Sequence, residues 1–375
     1  MAVNSKKAFL IAASRTTVSP AGGFLKDTPI EDMAAAVLIN NLQQLDIDTS
    51  EVDDVFVSNA IGGGGNIARL CTLKAGFSSE LLGTSIDRQC VGGLDAIIQA
   101  KNQIQQGQAN LILAGGVESF SLRPERHYPL KWNKKATPLE RPPFYPTDNP
   151  TIPLGDRIKA LKETYNISDQ EEFEWVQNSH RKALAHKPIA AAEIVSLTPN
   201  DTIDTFAREI SNEVYRKANA TYGHTHPCNT APKADGAAFV AVASQEMVKK
   251  INPVHCVEIK DGFTLGGDPK SFPILPAKAM NLILKQNNLN WDNINQIALM
   301  EAYAVQAILC AKISGAPIEK INPFGGAIAY GHPIGASGAV LAVHLFHALK
   351  KTSKTGLAAI AGAGGLASVL LLDNR

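Results

Sequence analysis

The sequence has almost no net charge: 36 Lys and Arg stand against 35 Asp and Glu in 375 residues, leaving +1. Such a balance offers no bulk attraction to nucleic acid or to an anionic membrane, so neither is expected as a partner and charged ligands must be recognised locally. Paired cysteines are missing as well. The five present, Cys71, Cys90, Cys228, Cys256 and Cys310, are odd in number and widely spaced, with no C-x-x-C, which argues against a disulfide framework and a zinc site. Thiols left free fit a reducing, cytoplasmic setting. Long apolar runs are also lacking. Lys6 and Lys7 precede only six apolar residues, Ala8 to Ala13, too few for a secretory core. The uncharged stretch Gly356 to Leu372 is broken by three further glycines and falls short of a membrane span; it reads as two buried strands and a turn. No Walker A segment and no strand-linked G-x-G-x-x-G points to nucleotide chemistry.

What the chain does have is an apolar content of 45%, enough for a sizeable core, and an internal repeat. A helical stretch from Met33 to Gln44 leads through Leu45-Asp46-Ile47-Asp48 into a strand at Val55 to Ser58. Ala277 to Asn288 likewise leads through Leu289-Asn290-Trp291-Asp292 into Ile297 to Met300. Each unit continues into a Gly-rich turn and an apolar helix, at Cys90 and at Gly335, and then into a strand ending in glycines, Asn110 to Gly116 and Leu357 to Gly365. Continuous apolar strands alternating with helices imply parallel-rich sheets covered on both faces. The expected organisation is a first half over 1-120, a loop excursion and return over 121-235 with a return strand at about 236-247, and a second half over 250-375. Within the excursion, Ser121 to Gly155 is rich in proline and basic residues, which is loop chemistry. Asp156 to Lys187 regains a helical pattern that Pro188 is expected to end.

Two residues stand where chemistry is expected. Cys90 follows the strand Ser85 to Asp87 and precedes Gly92-Gly93 and an apolar helix, so its sulfur is placed near a helix N-terminus, where a thiolate is favoured. His332, in Gly331-His332-Pro333, occupies the corresponding turn of the second half, and the repeat would bring the two together as nucleophile and base. For either residue alone, a packed structural role is the competing reading. His224, His226 and Cys228 form an H-x-H-x-C cluster lacking an obvious fourth ligand, and no metal is expected there. His344 and His347, one helical turn apart among apolar neighbours, are expected to serve helix packing, and Cys256 and Cys310 to sit in the core.

Four segments carry a family resemblance in order: Arg88-Gln89-Cys90-Val91-Gly92-Gly93-Leu94, Ala114-Gly115-Gly116-Val117-Glu118-Ser119, Glu301-Ala302-Tyr303-Ala304, and the run from Gly325 to Gly338 that contains Gly331-His332-Pro333-Ile334-Gly335. They resemble the signatures of thiolases over nearly the whole chain, most weakly between about Arg123 and Tyr222. The resemblance implies an α/β thiolase-like fold with two similar βαβαβαββ halves in a layered α/β/α/β/α arrangement. It also implies an acyltransferase that carries an acyl group from acyl-CoA on Cys90, with His332 activating the thiol, and no tightly bound cofactor. Ala231 falls in the pantetheine-contacting loop Asn229 to Gly236 where the family has Ser, and Leu154 in the acyl-pocket segment where it has Met. Gly364 lies in the turn whose N-H groups, with that of Cys90, would bind the acyl oxygen. Two family positions differ in chemistry. Met300 replaces the Asn that holds a catalytic water, and Ala361 falls where the proton-moving second Cys belongs, so ordinary thiolysis and Claisen condensation are expected to be impaired. A thioesterase and a non-catalytic acyl-CoA- or protein-binding homologue are the alternatives. Gly62 to Arg69 resembles the family's dimer contact, so a homodimer or tetramer is expected.

Overall fold

The structure is a computed structural model that describes residues 6–128, 137–138, 143–146, 154–198, 201–219, 226–350 and 354–374. Its strands are β1 (Ala8–Arg15), β2 (Ser19–Pro20), β3 (Asp54–Ser58), β4 (Thr84–Ile86), β5 (Leu111–Glu118), β6 (His127–Tyr128), β7 (Thr137–Pro138), β8 (Ala234–Ser244), β9 (Val257–Gly266), β10 (Gln296–Leu299), β11 (Thr355–Gly362) and β12 (Leu366–Asp373). One strand pattern occurs twice. In the first half β3 lies parallel to β5, β5 antiparallel to β8, and β8 antiparallel to β1. In the second, β10 lies parallel to β11, β11 antiparallel to β12, and β12 antiparallel to β9. The halves join where β1 meets β9 through Phe9–Glu258 and Leu10–Val257, giving the strand order β10-β11-β12-β9-β1-β8-β5-β3-β4.

The helices of the first half are α1 (Ile30–Leu45), α2 (Ile67–Lys74) and α3 (Gly92–Gln106). The segment between the halves adds α4 (Leu154–Thr164), α5 (Asp169–Ala190), α6 (Asn212–Asn219) and α7 (Gln245–Ile251), and the second half contributes α8 (Leu275–Gln286), α9 (Ala304–Ser314), α10 (Ala327–Tyr330) and α11 (Ile334–Leu349). Strand alternation sorts the core into layers, because successive side chains point to opposite faces. On β5, Ile112 and Ala114 join a cluster with Leu94 and Ile97 of α3 and Leu345 and Phe346 of α11, whereas Leu111, Leu113 and Val117 face Met33, Val37 and Leu38 of α1. On β11, Ala358 and Ile360 enter the same central cluster, whereas Leu357, Ala359 and Ala361 turn outward to Met280 and Ile283 of α8 and Ala307 of α9. The result is the layered α/β/α/β/α arrangement, with α3 and α11 in the middle.

Those two helices cross closely because glycine removes the obstacle. A Cβ on Gly93 would lie 2.7 Å from Gly335 O, and one on Gly338 would lie 2.4 Å from Leu94 N. The close crossing sets the two helix N-termini, and the turns before them, side by side.

Three details depart from the sequence reading. α5 does not end at Pro188 but runs through it to Ala190. Proline in the last turn forfeits a single hydrogen bond, and Phe173, Val176 and Ala183 anchor the buried face ahead of it. β8 begins at Ala234, so Asp235 belongs to the strand, where its carboxylate accepts from Ser121 N at 2.9 Å. The halves also differ ahead of their central helices: β4 leads to Cys90, whereas the short helix α10 leads to His332. Ile328 N in α10 points to the buried Glu301 carboxylate at 3.4 Å, which holds that turn helical. Of the basic residues in the excursion, Lys131, Lys134, Lys135 and Arg141 lie outside the described residues.

Candidate active site

Cys90 sits on a strained elbow. Gln89 has φ 53°, a left-handed conformation uncommon for a side chain of its size, and is held by its N-H donating to Asp87 Oδ1 at 3.0 Å. Arg88 Nη1 donates to Asp95 Oδ1 at 2.6 Å, tying the elbow to the first turn of α3. Gly92 follows because a Cβ there would lie 2.1 Å from Ser58 Oγ. Cys90 is therefore presented just ahead of the α3 N-terminus.

His332 is brought to it by the α10–α11 turn. Gly331 adopts φ 125°, His332 N donates to Pro232 O at 2.8 Å, and α11 starts at Ile334. The side chain spans 242 residues of sequence to place Nε2 3.2 Å from Cys90 Sγ, while Nδ1 lies 2.6 Å from Ser337 Oγ. With the Nδ1 proton donated to Ser337, the Nε2 lone pair faces the thiol. Burial pushes the Cys90 thiol up to about 12, against the pull of the Ala363 N-H that points at its sulfur. Burial also lowers His332 to about 4. Both shifts favour a neutral thiol against a neutral imidazole in the resting pair. Such a pair can pass the thiol proton to Nε2 as sulfur attacks a carbonyl.

The other residues selected from the sequence are distributed around this dyad. Ala231 is buried, and its N-H donates to Ala302 O at 3.1 Å, so the 230–233 loop is stapled between Glu301-Ala302-Tyr303 and His332. Gly364 has φ 87° in the β11–β12 turn beside Ala363, and a Cβ on it would lie 2.9 Å from Phe144 O of the excursion. Leu154 is half-buried at the start of α4, packed on the outer cluster of the second half that also holds Ala361. Pro153 lies outside the described residues. Met300 is buried and lines a cavity of about 20 Å³ together with Tyr330, Ser337, Leu341 and His344.

Glu118 was not singled out in the sequence, although its place at the end of a buried strand after two glycines was a signal. It is fully buried and accepts from Asn59 Nδ2 at 2.7 Å, Ala60 N at 2.9 Å, Ile61 N at 3.2 Å and Gly335 N at 3.0 Å. Of the H-x-H-x-C cluster, His224 lies outside the described residues. His226 is occupied by Tyr215 O at 2.8 Å and Cys228 N at 3.1 Å. His344 and His347 do more than pack. His347 Nε2 lies 2.8 Å from Ala13 O, and His344 faces Glu193. Cys310 is buried in the outer cluster of the second half, and Cys256 is half-buried against the outer cluster of the first.

Comparison with known proteins places this geometry in a class. Residues 8–246 match the thiolase N-terminal domain and residues 254–374 the thiolase C-terminal domain. This chain belongs to the thiolase family. A curated relative, "Putative acetyl-CoA C-acetyltransferase VraB" of Staphylococcus aureus (strain MW2), is 30% identical, the alignment covering 97% of this chain and 98% of the relative. Its Staphylococcus epidermidis counterpart is also 30% identical, over 98% of each. Among solved structures, the Bacillus anthracis acetyl-CoA acetyltransferase superposes with a TM-score of 0.89 at 27% identity, covering 98% of this chain and 99% of that one. Human mitochondrial 3-ketoacyl-CoA thiolase superposes with a TM-score of 0.90 at 25% identity, covering 99% of each. A thiolase-family acyltransferase is the function these likenesses support. Among the described residues, no helix is long and apolar enough to cross a membrane.

Proposed function

We propose that the protein transfers acyl groups from acyl-CoA through a thioester on Cys90, with His332 as the base and ordinary thiolysis and Claisen condensation impaired. The observation that carries this reading is the 3.2 Å approach of His332 Nε2 to Cys90 Sγ, with the Ala363 N-H directed at the same sulfur. Sulfur attacks the acyl carbonyl, the thiol proton moves to Nε2, and coenzyme A departs as the thiol after taking that proton back. The backbone N-H groups of Cys90 and of the Ala363–Gly364 turn serve the acyl oxygen. No cofactor is needed for these steps, and acyl-CoA is the substrate. Leu154, Ala231 and Gly364 are assigned to the acyl and pantetheine side of the site.

Carbon–carbon chemistry needs a group to move the α-proton and an oxyanion donor for the second acyl unit. The side chain of Ala361 has no ionisable proton, and Met300 offers a thioether where an amide would anchor water. Loss of one such donor typically costs about 100- to 1000-fold in rate. A homodimer is assigned through the face around Gly62 to Arg69, where Leu70, Leu73 and Leu82 are 45%, 48% and 71% exposed. Free thiols fit a cytoplasmic role in lipid metabolism. The test is intact mass after brief incubation with acetyl-CoA and longer acyl-CoA. An adduct present in the native protein and absent from Cys90→Ala supports the reading. Absence of any adduct from a folded, coenzyme A-binding protein would leave a non-catalytic role.

A further inference from the structure

We propose that His186, Glu193 and His344 form a buried site for a divalent first-row transition ion, separate from the Cys90–His332 dyad. His186 comes from the C-terminal part of α5, Glu193 from the turn after it and His344 from the middle of α11. The three are 6%, 1% and 4% exposed. Their ligand atoms lie within 4.8 Å of one another. His186 Nε2 is 3.3 Å from Glu193 Oε1, and His344 Nδ1 is 2.9 Å from Glu193 Oε2. The His186 separation matches the ~3.3 Å between neighbouring ligand atoms on a tetrahedral ion bound at about 2.0 Å.

One ligand atom in the cluster lacks a well-formed hydrogen bond. Arg15 Nε lies 3.0 Å from Glu193 Oε2, and its Nη1 and Nη2 lie 3.0 Å and 2.8 Å from the two oxygens of Asp204, so two carboxylates share one guanidinium, all nearly solvent-free. His186 Nε2 is hydrogen-bonded to Glu193 Oε1. His344 Nδ1 lies 2.9 Å from Glu193 Oε2, within ion-pair reach, yet it makes no aligned hydrogen bond while buried. A buried nitrogen beside a carboxylate, without a hydrogen bond of its own, stands where a ligand atom for a cation would stand.

The donor set fits the proposed ion. Two imidazoles and one carboxylate suit zinc, iron or nickel rather than magnesium or calcium, and they leave a position open. Arg15 does not compete for the metal. It holds one carboxylate oxygen and leaves Oε1 to ligate, the outer-shell support that ligating carboxylates receive. The site would pin α5 to α11. Ser337 and His344 are seven residues apart on α11, about 10 Å along its axis, and line the same cavity, so the ion would fix the helix that also carries the hydrogen-bond partner of His332.

The test is metal content of the purified full chain, followed by chelation and titration with cobalt(II), read by visible absorption. The expected result is one equivalent of metal per chain and a cobalt spectrum of low coordination number with nitrogen ligands. His344→Leu and the milder His186→Asn should each weaken cobalt binding by at least about 10- to 100-fold, the loss that outer-shell changes alone produce. The proposal fails if folded wild-type protein takes up no zinc or cobalt. It also fails if both folded variants bind cobalt as tightly as wild type. None of these readouts depends on Cys90.

Discussion

The carboxylate of Glu118, at the end of β5 in the first half, accepts a hydrogen bond at 3.0 Å from Gly335 N in the first turn of α11 in the second. Through Asn59, Ala60 and Ile61 the same carboxylate holds the turn after β3, so one side chain ties together the elements that position Cys90 and His332. Burial raises Glu118 from 4.5 to about 7 despite the three backbone N-H groups that favour its charge. A carboxyl raised on folding binds its proton more tightly in the native state, so its contribution to stability falls as pH rises from about 4.5 to 7 and is level above. The integrated change is about 3 kcal/mol. Urea denaturation of wild type and Glu118→Gln across this range should show the wild-type advantage shrinking by roughly that amount. A gap that does not change with pH would refute this account of Glu118.

The dyad predicts its own pH response. Burial raises Cys90 and lowers His332, so both shifts favour a neutral pair over a thiolate–imidazolium pair at neutrality. Acylation by acyl-CoA, followed by quenched mass spectrometry, should hold steady from about pH 5 to 8 and fall only as His332 is protonated near 4. His332→Ala should slow it by about 100- to 10,000-fold, the usual worth of a positioned base. A bell centred at neutrality would contradict the neutral pair.

Ser337 is expected to act through His332 alone. With Ser337 Oγ accepting from Nδ1 across the 2.6 Å contact, the tautomer that leaves Nε2 free is favoured. Ser337→Ala should slow acylation by about 10-fold, the value of one hydrogen bond of about 1.4 kcal/mol, with affinity for coenzyme A unchanged. Weakened coenzyme A binding with an intact acylation rate would place Ser337 in the binding surface instead.

Restoring the missing groups tests the reading of Met300 and Ala361. Ala361→Cys combined with Met300→Asn should raise condensation of acetyl-CoA, measured by release of coenzyme A in excess of free acid, by at least about 100-fold. Hydrolysis without condensation in the double variant would indicate that the pocket itself excludes a second acyl unit.

The α3–α11 crossing leaves no room for a side chain at Gly338. In Gly338→Val the added Cβ meets the backbone at Leu94, 2.4 Å away, which no rotamer can relieve. Overpacking of this kind costs about 1–3 kcal/mol. Thermal melting should fall accordingly, and Cys90 labelling should slow as the two turns separate.

Much of this was legible along the chain. Cys90 and His332 were readable because each is embedded in glycines that close backbone approaches or, at Gly331, a positive φ require, and these glycines are contiguous in sequence. The repeat was readable for the same reason, since apolar strands and helices impose their period on sequence. Pro188 misled because a breaker was read without the tertiary contacts that hold the last turn of α5. Glu118 carried only a local hint, because its four donors come from two other segments.

The sequence by itself pointed to the layered fold and the thiolase family and named Cys90 and His332 as a candidate pair, since core patterning and contiguous motifs are carried along the chain. Only the tertiary structure decided that Ser337 meets His332, that Glu118 bridges the halves, and that His186, Glu193 and His344 gather in one buried cluster. Each depends on side chains from distant segments meeting in a low-dielectric interior, where partners are chosen by three-dimensional proximity rather than by spacing.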